Sequence, residues 1–264
     1  MAPPDGELRF VPSLLLAATL TASCQSPSAA VQEPIQVAAA SDLSNAFPEL
    51  GKLFEARTGR KVTFSFAASG ALAQQIAQGA PFDLFAAASA SLVDDAVRAG
   101  ACDGASKAPY ARGHLSAWTK RGGPRLTSLA DLLQAEIRHV AIANPEHAPY
   151  GRAARQALTR AGLWPELESK VVQADNVRQA LQFAQTGNAD VALVARSLVM
   201  DADDGRRLDI ESSLHDPIEQ ALVLCRRGKN IEGARAFAAL IESVDGQAVL
   251  QRYGFDGSAQ ELSK

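Results

Sequence analysis

Residues 66–89 read FAASGALAQQIAQGAPFDLFAAAS, and the order of residue types in this stretch decides the class of fold. It opens on the end of KVTFSFA (61–67), a β-branched and aromatic run that predicts a strand. A helix is expected from Gly70 to Gln78, with Gly79 ending it. DLFAA (83–87) predicts the next strand, and a further helix runs to Gly100. The same unit precedes it. IQVAAA (35–40) reads as a strand, and the helix after it carries Leu43, Phe47, Leu50 and Phe54 on one face, with Pro48 near its first turn. Alternating strands and helices predict an α/β protein with a mostly parallel sheet covered on both faces.

A second block begins near His114. HLSAWT (114–119) reads as a strand, 128–134 as a short helix and HVAIAN (139–144) as a strand. A helix over about 151–162, a strand at 170–174, a helix at 177–187 and the strand DVALVA (190–195) follow. The segment 200–216 is polar and reads as irregular. IEQALVLCR (218–226) reads as a strand returning to the first block, with closing helices near 231–243 and 246–252. No long linker separates the blocks. The expected architecture is therefore two lobes, each a mostly parallel sheet flanked by helices. Lobe I takes 31–114 and 217–264, lobe II takes 115–216, and the crossings lie near 112–116 and 213–219. A ligand would sit between the lobes at the carboxyl ends of the strands.

Each of the three strands of the first block enters its helix through the same tripeptide: Ala39-Ala40-Ser41, Ala67-Ala68-Ser69 and Ala87-Ala88-Ser89. Small residues leave room for a group to approach the backbone, and serine at such a junction is a preferred N-cap. The N–H groups of a first helical turn and the positive end of the helix dipole favour an anion. Three ordinary caps in an alanine-rich chain would give the same pattern. The second block adds Asn144-Pro145-Glu146-His147-Ala148-Pro149-Tyr150-Gly151 and Ala174-Asp175-Asn176-Val177, each leading into a helix. Asp175 or Asn176 is the expected cap, Val177 would offer its N–H, and the Tyr150 hydroxyl would point into the cleft or pack at its rim.

Taken together, VAAASDL (37–43), the 66–89 stretch, ANPEHAPYGRAA (143–154), ADNVRQAL (174–181), ADVALVARS (189–197) and RYGF (252–255) resemble the periplasmic molybdate-binding proteins of bacterial ABC importers. The pieces run in family order over nearly all of 35–255. The resemblance implies the two-lobed periplasmic binding-protein fold and delivery of molybdate, or tungstate, to a membrane permease. It also implies an oxyanion held by Ser41 and Asp42, by Ser69, by an N–H at Ala88 and by the N–H of Val177. Some members take a ligand tyrosine from the strand matched here by ALVAR, but Ala195 stands there. Others take it from the APYG turn, where this chain has Tyr150.

Asp42 departs from the pattern, since that subtype can carry a neutral side chain at this place and a carboxylate repels a dianion. Either it turns away to cap the helix and gives only its N–H, or the ligand carries a proton, which keeps phosphate open beside sulfate as an alternative oxyanion. A pocket of donors alone predicts molybdate binding that hardly changes between pH 6 and pH 8.

The bulk properties restrict the function classes. The chain has 264 residues, 47% apolar and 21% charged, with a formal net charge of -3. Nothing in it suggests a nucleic-acid partner, and a monomer without a cofactor is expected. FVPSLLLAATLTA (10–22) is too short to span a bilayer and fits the apolar region of a signal peptide within 1–30. Asp5 and Glu7 sit where such a peptide usually carries positive charge. Cleavage before a lipidated Cys24 and cleavage after Ala30 are both compatible with the small residues there. The protein is therefore expected in the periplasm, free or lipid-anchored. Cys102 and Cys225 either pair or stay as separate thiols. The four histidines match no metal motif, so any molybdenum would be held only through its oxygens. There is neither a G-x-S-x-G elbow nor a phosphate-binding P-loop. A binding protein, not an enzyme, is expected. The rival classes are a hydrolase using Ser41, Ser69 or Ser89 and the effector domain of a transcription regulator.

Overall fold

Ten strands fall into two five-stranded sheets in the computed structural model, which describes residues 1–2, 33–200 and 202–257. The expected signal-peptide segment and Cys24 lie outside the described residues. In chain order the first part is β1 (Ile35–Ala40), α1 (Ala46–Thr58), β2 (Val62–Ala67), α2 (Ser69–Ala77), β3 (Leu84–Ala87), α3 (Ala90–Arg98) and β4 (Ala108–Gly113). The middle part is β5 (Leu115–Lys120), β6 (Val140–Ala143), α4 (Pro149–Arg160), α5 (Trp164–Leu167), β7 (Val171–Ala174), α6 (Val177–Thr186), β8 (Val191–Ala195) and β9 (Gly205–Asp209). Then come β10 (Ile218–Leu224), α7 (Ile231–Glu242) and α8 (Val244–Arg252).

The first sheet has the order β2-β1-β3-β10-β4 and the second the order β7-β6-β8-β5-β9. β1 runs parallel to β2 and β3, and β6 runs parallel to β7 and β8. β10 and β5 run antiparallel to both of their neighbours, so each sheet is mixed. The central strands are short apolar runs because both of their faces are covered. LFAA, VAIA and VALVA are buried at every residue. The α1 face also forms as expected: Leu43, Phe47, Leu50 and Phe54 are all buried. Leu43 lies in a separate 3-10 turn, Ser41–Leu43, ahead of the helix. Gly79 follows α2 with φ of 97°, a left-handed conformation that glycine adopts without steric cost.

Two strands and one short helix were not expected. β4 (APYARG) holds a proline and a glycine and lies at a sheet edge, where proline is tolerated. β9 (GRRLD) is a charged edge strand within the segment read as irregular. α5 is a single turn, and the expected short helix at 128–134 is a 3-10 helix, Leu129–Leu133.

Cys102 and Cys225 face each other across an isolated antiparallel bridge, with their sulfurs 3.3 Å apart and the thiols free.

Candidate functional site

Five parallel strands end toward one small cavity. β1 runs into the turn Ser41–Leu43, β2 into α2 and β3 into α3; from the second sheet β6 leads to α4 and β7 to α6. Ser41, Asp42, Ser69, Ala88, Tyr150 and Val177, the residues singled out in the sequence, all line this small cavity. Its remaining wall is Ala40, Ala67, Ala68, Ala148 and Pro149, with no Lys, Arg or His among the described residues. A larger groove lies beside it, shares Ala88 and Pro149, and carries Arg152 and Asp216. The residues with convergent polar groups face the small cavity.

The serines do not act as the N-caps expected. Ser41 and Ser69 are the first residues of their helices rather than the caps, and Ser89 makes no cap bond but pairs with the Ser91 hydroxyl. Both Ser41 and Ser69 are buried and line the cavity. The Ala88 N–H donates to Ser69 Oγ at 3.0 Å. This N–H is therefore engaged, but it occupies an acceptor position of the Ser69 hydroxyl and leaves the Ser69 proton to donate elsewhere. Asn176 caps α6, its Oδ1 accepting from the N–H groups of Arg178 and Gln179. Val177 follows as the first helical residue, a position whose N–H has no partner within a helix.

Tyr150 is buried at the start of α4, and Pro149 before it occupies the first helical position, where a missing N–H costs nothing. The Tyr150 hydroxyl accepts a bond from Gln220 Nε2 at 3.3 Å and packs against the backbone of Gly113, where an added Cβ would meet it at 2.1 Å.

Asp42 does not turn away to solvent. It is 1% exposed; its Oδ2 accepts from Gln220 Nε2 at 2.6 Å, and its Oδ1 has no partner. Burial pushes its carboxyl from the ordinary 3.8 up to about 6, against smaller opposing effects of Gln220, the Tyr150 hydroxyl and its own N–H. The folded protein thus keeps a proton there that the unfolded chain releases near 3.8. The contribution to stability accordingly falls as pH rises through this window. Burial likewise raises Tyr150 well above its ordinary value, and the Asp42 charge adds to this, so the phenol stays protonated as a donor.

Residues 35–256 match the model of the bacterial extracellular solute-binding protein family. The chain belongs to that family. This solute-binding protein is 35% identical to the molybdate-binding protein ModA of Rhodobacter capsulatus over 83% of its own length and 86% of that protein's. It is 34% identical to the molybdate-binding protein ModA of Azotobacter vinelandii over 86% and 91%. Among solved structures, the periplasmic molybdate-binding protein of Azotobacter vinelandii superposes with a TM-score of 0.79 at 28% identity, covering 84% of this chain and 98% of that one. Members of such a family carry solutes and are not enzymes. Among the described residues no cluster of His, Cys, Asp and Glu could hold a metal ion, and no helix is long and apolar enough to cross a membrane.

The solute-binding protein also carries site residues that sequence reasoning missed. Gln220 is fully buried on β10. Its Oε1 accepts from the Tyr110 hydroxyl at 2.6 Å, which fixes the amide so that Nε2 serves both Asp42 and Tyr150. A lone glutamine inside the apolar run IEQALVL was the available signal. Ser197 Oγ donates to the Asp42 carbonyl at 2.8 Å, and the Gly70 N–H donates to the His147 carbonyl at 2.9 Å. Each of these bonds joins an element of one sheet to an element of the other, and no sequence pattern marks them.

Proposed function

We propose that this chain is an extracytoplasmic binding protein that captures molybdate, or tungstate, and hands it as a monomer to the permease of an ABC importer. In this reading residues 31–114 with 217–264 and residues 115–216 are two lobes that close on the ligand. Residues 1–30 direct export, with Cys24 as the site of lipid attachment if the chain is anchored in the periplasm.

The observation that carries the reading is the convergence of helix starts and hydroxyl donors on a small cavity without a cation. A tetrahedral oxyanion offers acceptors in every direction. Such a cavity matches it with oriented dipoles rather than formal charge. Ser41 and Ser69 would donate through their hydroxyls, Val177 through its N–H and Tyr150 through its phenol, while Ala88 holds the Ser69 hydroxyl in place. The names of the relatives point to molybdate within the oxyanion class. The unpartnered Asp42 Oδ1 favours one second reading, hydrogen phosphate, whose proton an acceptor can take.

Calorimetric titration with molybdate, tungstate, sulfate and phosphate tests the assignment. Molybdate and tungstate are expected to bind and to raise the melting temperature by mass action. Tight phosphate binding without a response to molybdate would reject molybdate in favour of the second reading.

Tyr150→Phe separates a ligand from a packing residue. The ring remains, so the fold should remain. The lost hydrogen bond to a charged acceptor is expected to weaken molybdate binding about ten- to a hundredfold, from roughly 1.5–3 kcal/mol. Unchanged affinity would remove Tyr150 from the ligand set.

A further inference from the structure

We propose that Asp42 shares one proton with the bound oxyanion, so that this pocket captures a fully deprotonated tetrahedral dianion together with a proton from solvent. The inference rests on the oxyanion reading above and goes beyond it, because it assigns the cavity an acceptor as well as donors.

The geometry carries it. Asp42 lines the cavity, is almost wholly buried, and has one oxygen tied to Gln220 while the other, Oδ1, has no partner. A buried carboxylate oxygen without a donor is costly, and placing a dianion beside it would add direct repulsion. The neighbours offset the cost of burial only in part, and none brings a positive charge. β10 presents the neutral amide of Gln220, β4 the Tyr110 hydroxyl and α4 the Tyr150 hydroxyl, both phenols held protonated by burial. α2 presents the Ser69 hydroxyl. At the start of α6, Arg178 is directed to Ser44 Oγ and Asn45 Oδ1. After β8, Arg196 is directed to the Gly254 carbonyl, and Ser197 bonds the Asp42 backbone.

Among the described residues no cation is therefore placed to neutralise the carboxylate. A proton on Oδ1 removes the charge, supplies the missing hydrogen bond and donates to a ligand oxygen. The balance is simple: the carboxylate and the dianion take up one proton from water, and no covalent bond to the ligand forms. Burial already raises this carboxyl to about 6 in the empty pocket, and an adjacent dianion raises it further.

The test is calorimetry of the full chain with molybdate between pH 6 and pH 8, each pH measured in two buffers of different ionisation enthalpy. Uptake of about one proton per molybdate is expected at pH 8, with affinity falling about tenfold from pH 7 to pH 8. Asp42→Asn keeps an acceptor for Gln220 and puts an N–H donor where Oδ1 stands. Its affinity should be independent of pH and about a hundredfold tighter than wild type at pH 8. Molybdate binding to the wild type with no proton uptake and no change in affinity over this range would overturn the inference and leave the oxyanion assignment intact. Absence of binding by every oxyanion at every pH would overturn the assignment, and the inference with it.

Discussion

Gly70→Ala is expected to fold at least as well as wild type and to lose roughly thirty- to several-hundredfold in molybdate affinity. Gly70 is the second residue of α2 and its φ is not positive, so alanine suits both the helix and the backbone. The obstacle lies across the cleft. A Cβ on Gly70 would stand 2.7 Å from the His147 carbonyl oxygen and 3.1 Å from its Cα. These are backbone atoms of a turn pinned by two bonds, from the N–H groups of His147 and Ala148 to the Asn144 carbonyl. They can yield only if the two sheets move apart. Overpacking of about 1–3 kcal/mol, with the lost Gly70 to His147 bond at about 1 kcal/mol, falls on the closed form alone and sets the affinity range. Titration calorimetry with a thermal melt of the unliganded protein checks it. Wild-type affinity would mean that α2 and the 144–148 turn do not approach this closely around a ligand.

The second large effect is on stability. Exposed to a disulfide oxidant, the protein is expected to join Cys102 to Cys225 and gain about 4–5 kcal/mol, a rise in melting temperature of roughly 10–15 °C. The two residues are 123 positions apart, so the bond closes a long loop. They form a non-hydrogen-bonded pair of an antiparallel bridge, flanked by bonds from Arg226 N–H to the Ala101 carbonyl and from Asp103 N–H to the Leu224 carbonyl. That pairing brings Cα atoms to within disulfide reach with no backbone movement. The hydrogen bond with Cys225 draws the Cys102 thiol below its ordinary value. Peptide mass spectrometry without reductant should find the linked pair, and reduction should lower the melting temperature. Two free thiols after oxidation, with an unchanged melt, would refute this.

The sequence made the alternation of strands and helices legible because the central strands are unbroken apolar runs and their helices have clear faces. The cavity lining was legible for a related reason: each residue follows the end of a strand, and the repeated Ala-Ala-Ser junction marks three of those ends. What escaped notice depends on partners far away in sequence. β4 is a strand because β10 pairs with it, despite Pro109 and Gly113. Gln220 is a site residue only because Tyr110, Asp42 and Tyr150, each at least seventy positions away, meet around it. The cap assignment failed for Ser41 and Ser69 because serine satisfies a helix start or a cavity equally well, and nothing local distinguishes the two.

The antiparallel β10 has a kinetic consequence. It lies between β3 and β4 in the first sheet, pairing Ala221 with Ala87, yet it follows the whole of the second sheet in the chain. Until residues 218–224 arrive, β3 and β4 have no common neighbour and the first sheet stays split. Closing it spans more than a hundred residues, and pairings of such separation fold slowly. A nascent chain of this topology therefore stays incomplete in its first sheet until almost all of it has been synthesised.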